Sequence, residues 1–139
     1  MVFHDGDLCL VNSATTYTIL NKKKYFEYLT LTKTNITINI GSTNMIKGSR
    51  KANILLPNNT KLGIKDALYS LKSKRNLLSF KDMCVNGYHI EIINEDKKKY
   101  LYIISRISSQ KYILEKLLAF SSRIYYTVIK SIETNVMMN

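Results

Sequence analysis

Leu8-Cys9-Leu10-Val11-Asn12-Ser13-Ala14-Thr15-Thr16-Tyr17-Thr18-Ile19-Leu20 places two apolar runs, residues 8–11 and 19–20, on either side of small polar residues. Apolar runs bounded by turn-forming residues predict strand, short loop, strand. A loop held between strands puts a polar side chain at a reproducible place on a rigid scaffold, where chemistry concentrates. The candidate is Asn12, with Ser13 and Ala14 behind it.

Working outward, Thr34-Asn35-Ile36-Thr37-Ile38-Asn39-Ile40 alternates apolar and polar residues, the pattern of a half-buried strand. Gly41-Ser42-Thr43-Asn44 reads as a turn, and residues 45–48 and 52–56 as one returning strand. Pro57-Asn58-Asn59-Thr60 turns again, with proline suited to its early position. Residues 62–69 form a further strand region. Between 77 and 85 the apolar spacing becomes helical, and Asn86-Gly87 supplies a left-handed helix end. Residues 88–93 and 100–104 pair as a hairpin across the turn Asn94-Glu95-Asp96-Lys97. Residues 105–110 read as a connector, 112–118 fit neither template, and 124–129 read as a last strand. The prediction is an all-β, mainly antiparallel fold with one short helix and a trailing β-hairpin.

The chain has 139 residues, 45% of them hydrophobic, which suits one globular domain with a tail. Residues 1–104 are the expected domain and 105–139 a connector with the start of a following segment. The net charge of +11 calls for anionic partners or surroundings. No apolar run reaches the ~20 residues of a membrane span. The start, Met1-Val2-Phe3-His4-Asp5-Gly6-Asp7, lacks a basic region ahead of an apolar one, so no signal peptide is expected. Two cysteines do not make a disulfide framework, and an intracellular, cytoplasmic location follows as the expectation.

Several of these segments together resemble a known family. Leu10-Val11-Asn12-Ser13-Ala14-Thr15-Thr16 is similar to the active-site loop of retroviral-like aspartic proteases in copia-type retrotransposon Pol polyproteins of plants. The likeness continues in order through Leu56-Pro57-Asn58, Ala67-Leu68-Tyr69, Arg75-Asn76-Leu77-Leu78-Ser79 and Asn86-Gly87-Tyr88. Arg123-Ile124-Tyr125-Tyr126-Thr127 resembles the junction toward the pre-integrase segment. The resemblance implies a closed retropepsin-like barrel and ancestry in polyprotein processing. It implies a homodimer acting on polyprotein-derived peptide, in virus-like particles if the element is active. Arg75, Asn76, Leu77 and Leu78 would open the single helix and support the loop, and Ile40, Gly41 and Ser42 would lie in the flap covering bound peptide. No cofactor and no metal are implied.

This chain departs from that pattern at its centre. Asn12 stands at the position of the family's catalytic aspartate, Ala14 at that of a frequent glycine, and Thr16 at that of an aspartate that pairs with the helix arginine. Two aspartates sharing one proton across a dimer act as acid and base together. An amide cannot take the water's proton, and losing general acid–base help costs ~10²–10⁴-fold. Proteolysis is therefore expected to be silent in this copy.

Other readings compete. His4, Cys9, Cys84 and His89 have mirrored spacing, but both cysteines sit in apolar runs and are expected to be buried and inert. Ser13 lacks the elbow of a serine hydrolase. Lys61, Lys65, Lys72, Lys74, Arg75 and Lys81 crowd one region opposite Asp66. A basic barrel with many tyrosines would make weak, sequence-blind RNA contacts. A non-enzymatic barrel binding peptide or nucleic acid is the alternative function.

Overall fold

Period-two alternation in residues 7–12 turns Cys9 and Val11 to one face of a strand and Leu10 and Asn12 to the other. This strand, β1 (Asp7–Asn12), lies inside the sheet, parallel to one neighbour and antiparallel to the next. The computed structural model describes residues 6–27, 32–38, 41–47 and 51–132. The other strands in chain order are β2 (Ile19–Leu20), β3 (Thr32–Ile38), β4 (Gly41–Lys47), β5 (Ala52–Leu55), β6 (Lys61–Ile64), β7 (Leu68–Tyr69), β8 (Asn76–Ser79), β9 (His89–Glu95), β10 (Lys98–Ile107), β11 (Gln110–Ala119) and β12 (Ile124–Ser131). Among the described residues there is one α-helix, α1 (Phe80–Val85), and a 3-10 turn at Lys23–Tyr25.

The ladders run β3-β4-β7-β2-β8-β1-β12-β11-β10-β9, with the β5–β6 hairpin attached at β12. The all-β class with one short helix is as the sequence predicts. Among the described residues the path is open, because no ladder joins β3 to β9, so the expected closure into a barrel is not seen. β1–β8 and β2–β7 are parallel. A parallel pair needs a long crossover, and the chain from β2 to β7 supplies it for β1 and β8.

One face of this sheet makes the main core. Cys9, Val11, Leu78, Leu101, Ile103, Leu117, Tyr125 and Ile129 meet Ala52, Ile54, Leu62 and Ile64 of the β5–β6 hairpin, with Met83 of α1. The other face carries a smaller cluster of Leu10, Ile19, Leu68 and Leu77. β1 is apolar on both faces, which is why its sequence reads as a continuous run.

Several expectations need correction. The helix was expected at 77–85, but residues 76–79 are strand β8, all buried between β1 and β2. Ser79 starts the helix by accepting the Lys81 N–H on Oγ, so Leu77 and Leu78 precede it. The predicted end holds: Gly87 takes φ +91° and donates to the Cys84 carbonyl, while Tyr88 donates to that of Met83. Gly41 and Ser42 lie in β4, paired with Ile38 and Thr37, rather than in a turn. The expected returning strand divides, because 41–47 pair with β3 while 52–55 pair with β6 and β12. Residues 105–110 are not a connector: β10 runs to Ile107, and Ser108-Ser109, both at positive φ, turn into β11. The expected division at 104/105 therefore falls inside β10, and β12 pairs with β1 along six residues. Cys9 is buried as expected, whereas Cys84 is exposed because α1 turns Met83 inward instead.

Candidate functional site

β1 ends at Asn12, whose neighbours are Ser79 in β8 and Ile124 in β12. Its Oδ1 accepts the Ala14 N–H at 2.8 Å, closing a local turn that begins the small-residue loop. Asn12 is half-buried, Ser13 and Ala14 are exposed, and Thr15 is buried. The strand delivers the amide to the sheet's end, and the hydrogen bond fixes its orientation. As a carbonyl acceptor and NH2 donor it can bind a polar group but cannot exchange a proton near neutral pH.

Thr18 holds the far side of the loop. Its Oγ1 donates to Asp82 Oδ2 at 2.5 Å and accepts the Ser79 N–H at 3.1 Å. Its own carbonyl accepts from the Leu68 N–H at 2.9 Å. One threonine thus joins the loop, the first turn of α1 and β7. The helix backs onto the loop through this contact.

Asn76 is buried under β1, donating Nδ2–H to the Leu8 carbonyl and accepting the Asn21 N–H. Leu77 and Leu78 pair with Leu10 and Val11 and bury into opposite faces of the sheet. These three support β1 from beside it. Arg75 does not reach the loop. It lies beyond the other end of β8, lining a groove with Leu8, roughly 13 Å of strand from Ser79. Gly41 and Ser42 lie in the β3–β4 hairpin at the sheet's end, while Ile40 and His4 lie outside the described residues.

Thr18, Asp82 and Glu115 are contributors that the sequence reading missed. Glu115, on β11, is buried and accepts the Asn58 N–H at 3.0 and 3.1 Å and the Thr60 N–H at 3.3 Å. It grips the Pro57–Thr60 turn from 55 residues away in sequence. No local pattern signals such a partner. At the start of β1, Asp7 receives Lys22 at 2.6 Å, Lys24 at 3.2 Å and the Tyr25 hydroxyl. Partial burial opposes its charge, but the hydrogen bonds from Lys22, Tyr25 and Lys24 outweigh it and hold the carboxyl at about 2. Burial, then the Asp7 carboxylate, pushes the Tyr25 hydroxyl far up, and burial alone does so for the Cys9 thiol.

Residues 9–88 match the family model described as Pol polyprotein, beta-barrel domain. The chain belongs to that family. In this Pol beta-barrel domain the matched span takes in β1 from Cys9 onward, the Asn12 loop, β8 and α1, and stops before β9. β10 to β12, which complete the Pol domain's sheet around β1, lie beyond it. No curated protein matches the chain.

Proposed function

We propose that this Pol polyprotein domain derives from a copia-type, retropepsin-like aspartic endopeptidase, and that Asn12 leaves it without proteolytic activity. The observation that supports the reading is the placement of Asn12. It stands at the end of an interior strand, beside β8, at the head of an exposed small-residue loop backed by α1 through Thr18 and Asp82.

The chemistry follows from what sits there. Peptide hydrolysis by a carboxylate pair needs one group to take a proton from water while the other gives one to the carbonyl. In a homodimer two Asn12 amides would face each other, and neither changes protonation near working pH. The domain would retain peptide binding without turnover. Asparagine is nearly isosteric with aspartate, so Asn12→Asp restores the carboxylate with little steric change.

The test compares the unmodified chain and Asn12→Asp on a peptide library at mildly acidic pH, with and without a transition-state-mimicking aspartic protease inhibitor. The unmodified chain is expected to leave every peptide intact, and N12D to cleave in an inhibitor-sensitive way. Inhibitor-sensitive cleavage by the unmodified chain overturns the assignment of Asn12.

A second reading draws on a groove of ≈ 540 Å³ whose lining includes Lys24, Lys51 and Lys61 with Tyr25 and Phe26. On a chain of net charge +11 it suits weak, sequence-blind RNA contact. Such binding should fall steeply with salt, and tight binding to one sequence that survives raised salt would count against it.

A further inference from the structure

We propose that the groove between β1, the Lys74-Arg75 pair and the β11–β12 connection docks an acidic, apolar segment of a partner protein. Lys74 and Arg75 lie at the opposite end of β8 from Ser79, Asn12's partner, whereas Phe120 donates its N–H to the carbonyl of Ile124, Asn12's partner in β12. The inference does not rest on the proteolytic reading.

The sheet's second face leads to it. Leu118, Tyr126, Leu10, Leu77, Ile19 and Leu68 are successive register partners across β11, β12, β1, β8, β2 and β7. At one end of this row Leu10, Leu77, Ile19 and Leu68 bury one another. Around the rest of the row the apolar surface stays open: Tyr126 is 37% exposed, Leu8, two residues before Leu10, is 60% exposed, and Phe120, two residues past Leu118, is 66% exposed. Contiguous apolar surface of this kind marks interaction sites.

A groove of ≈ 130 Å³ opens here, lined by Leu8, Leu10, Lys74, Arg75 and Phe120. It has the size of one medium side chain. Its walls are apolar, and both charged groups at its edge are cations. The ion pairs among the described residues use Asp7, Glu91 and Glu95, and none involves Lys74 or Arg75. An occupant with an apolar side chain beside a carboxylate fills the groove and meets the guanidinium in its preferred planar geometry. Charge complementarity also selects against a second copy. A two-fold contact sets the same patch against itself, which would oppose Lys74 and Arg75 to their own counterparts with no acid in the groove.

Fluorescence anisotropy with three labelled decapeptides tests this: one alternating Glu with Leu and Phe, a twin with Lys for Glu, and one alternating Glu with Ser. The Glu-Leu-Phe peptide should bind, and the other two about tenfold more weakly or worse. Arg75→Glu and Phe120→Ser should each weaken binding by a similar factor, while Leu71→Ser, at an exposed position outside the groove, should leave it unchanged. All three positions are exposed, so circular dichroism should show the same melting curve for each. Absent or equal binding of the three peptides, or indifference to Arg75→Glu and Phe120→Ser, overturns the proposal. So does a sedimentation dimer that Phe120→Ser abolishes, which would assign the face to a second copy. Preferential binding of a 15-mer oligouridylate, lost in the same variants, overturns it in favour of RNA.

Discussion

Two turns in this chain look alike in sequence and are held in different ways. The loop at Asn12 is closed by its own side chain, Oδ1 to the Ala14 N–H two residues on, and its tip is exposed. The Pro57–Thr60 turn also closes locally, with the Asn59 N–H on the Leu56 carbonyl and Asn59 at φ 68°. It is then gripped by the buried Glu115 carboxylate and by Asn58 Nδ2–H on the Leu114 carbonyl. The first turn is free to meet a ligand. The second fastens the β5–β6 hairpin to the sheet that β11 and β12 complete. A buried charge is stable only when its partners are in place, so the second turn is the one whose loss should be felt throughout the fold.

Substitutions at three positions would break or sharpen this contrast. Glu115→Ala should have the largest effect, about 2–4 kcal/mol of stability, because it leaves buried N–H groups unpaired. Glu115→Gln keeps an acceptor and should lose about half as much. Urea unfolding reads both, and a loss from Glu115→Ala no larger than that of an exposed-site control would mean that the grip contributes nothing.

Asp7→Asn comes next. The folded carboxyl titrates at about 2 against an ordinary 3.8, so its stabilisation is complete above the ordinary value and lost as pH falls through the folded one. With partial exposure discounted, the variant should be about 1 kcal/mol less stable at neutral pH. The gap should close between pH 4 and 2. A constant gap across that range would show that the contacts act by shape and not by charge.

Asn12→Ala should cost least, about 0.5 kcal/mol, since it removes one half-exposed hydrogen bond. Thermal melting would check it. A loss approaching that of Glu115→Ala would erase the distinction between the turns.

The strand alternation, the helix end at Asn86-Gly87, the turn at Asp96-Lys97 and the Asn12 loop were legible because each depends on neighbours a few residues away. Leu77 and Leu78 misled because helical spacing and a fully buried strand both appear as a short apolar run. Ser108-Ser109 misled because serine does not favour positive φ, and the β10–β11 register imposes it. Asn12 could be singled out from the chain alone, yet its neighbours could not. Thr18 and Asp82 meet across 64 residues, and Glu115 reaches Thr60 across 55.

The sequence by itself determined the all-β class, the polar turn at the end of the first strand and the side chain at its head, an amide that does not titrate. Periodicity, turn chemistry and the protonation of a side chain are local properties, and they survive in one dimension. Only the tertiary structure decided that β8 runs parallel beside β1, that β12 lies against β1's other edge, and that Arg75 edges an apolar groove away from Asn12. Those outcomes come from burying both faces of β1 at once, and no segment can satisfy that demand alone.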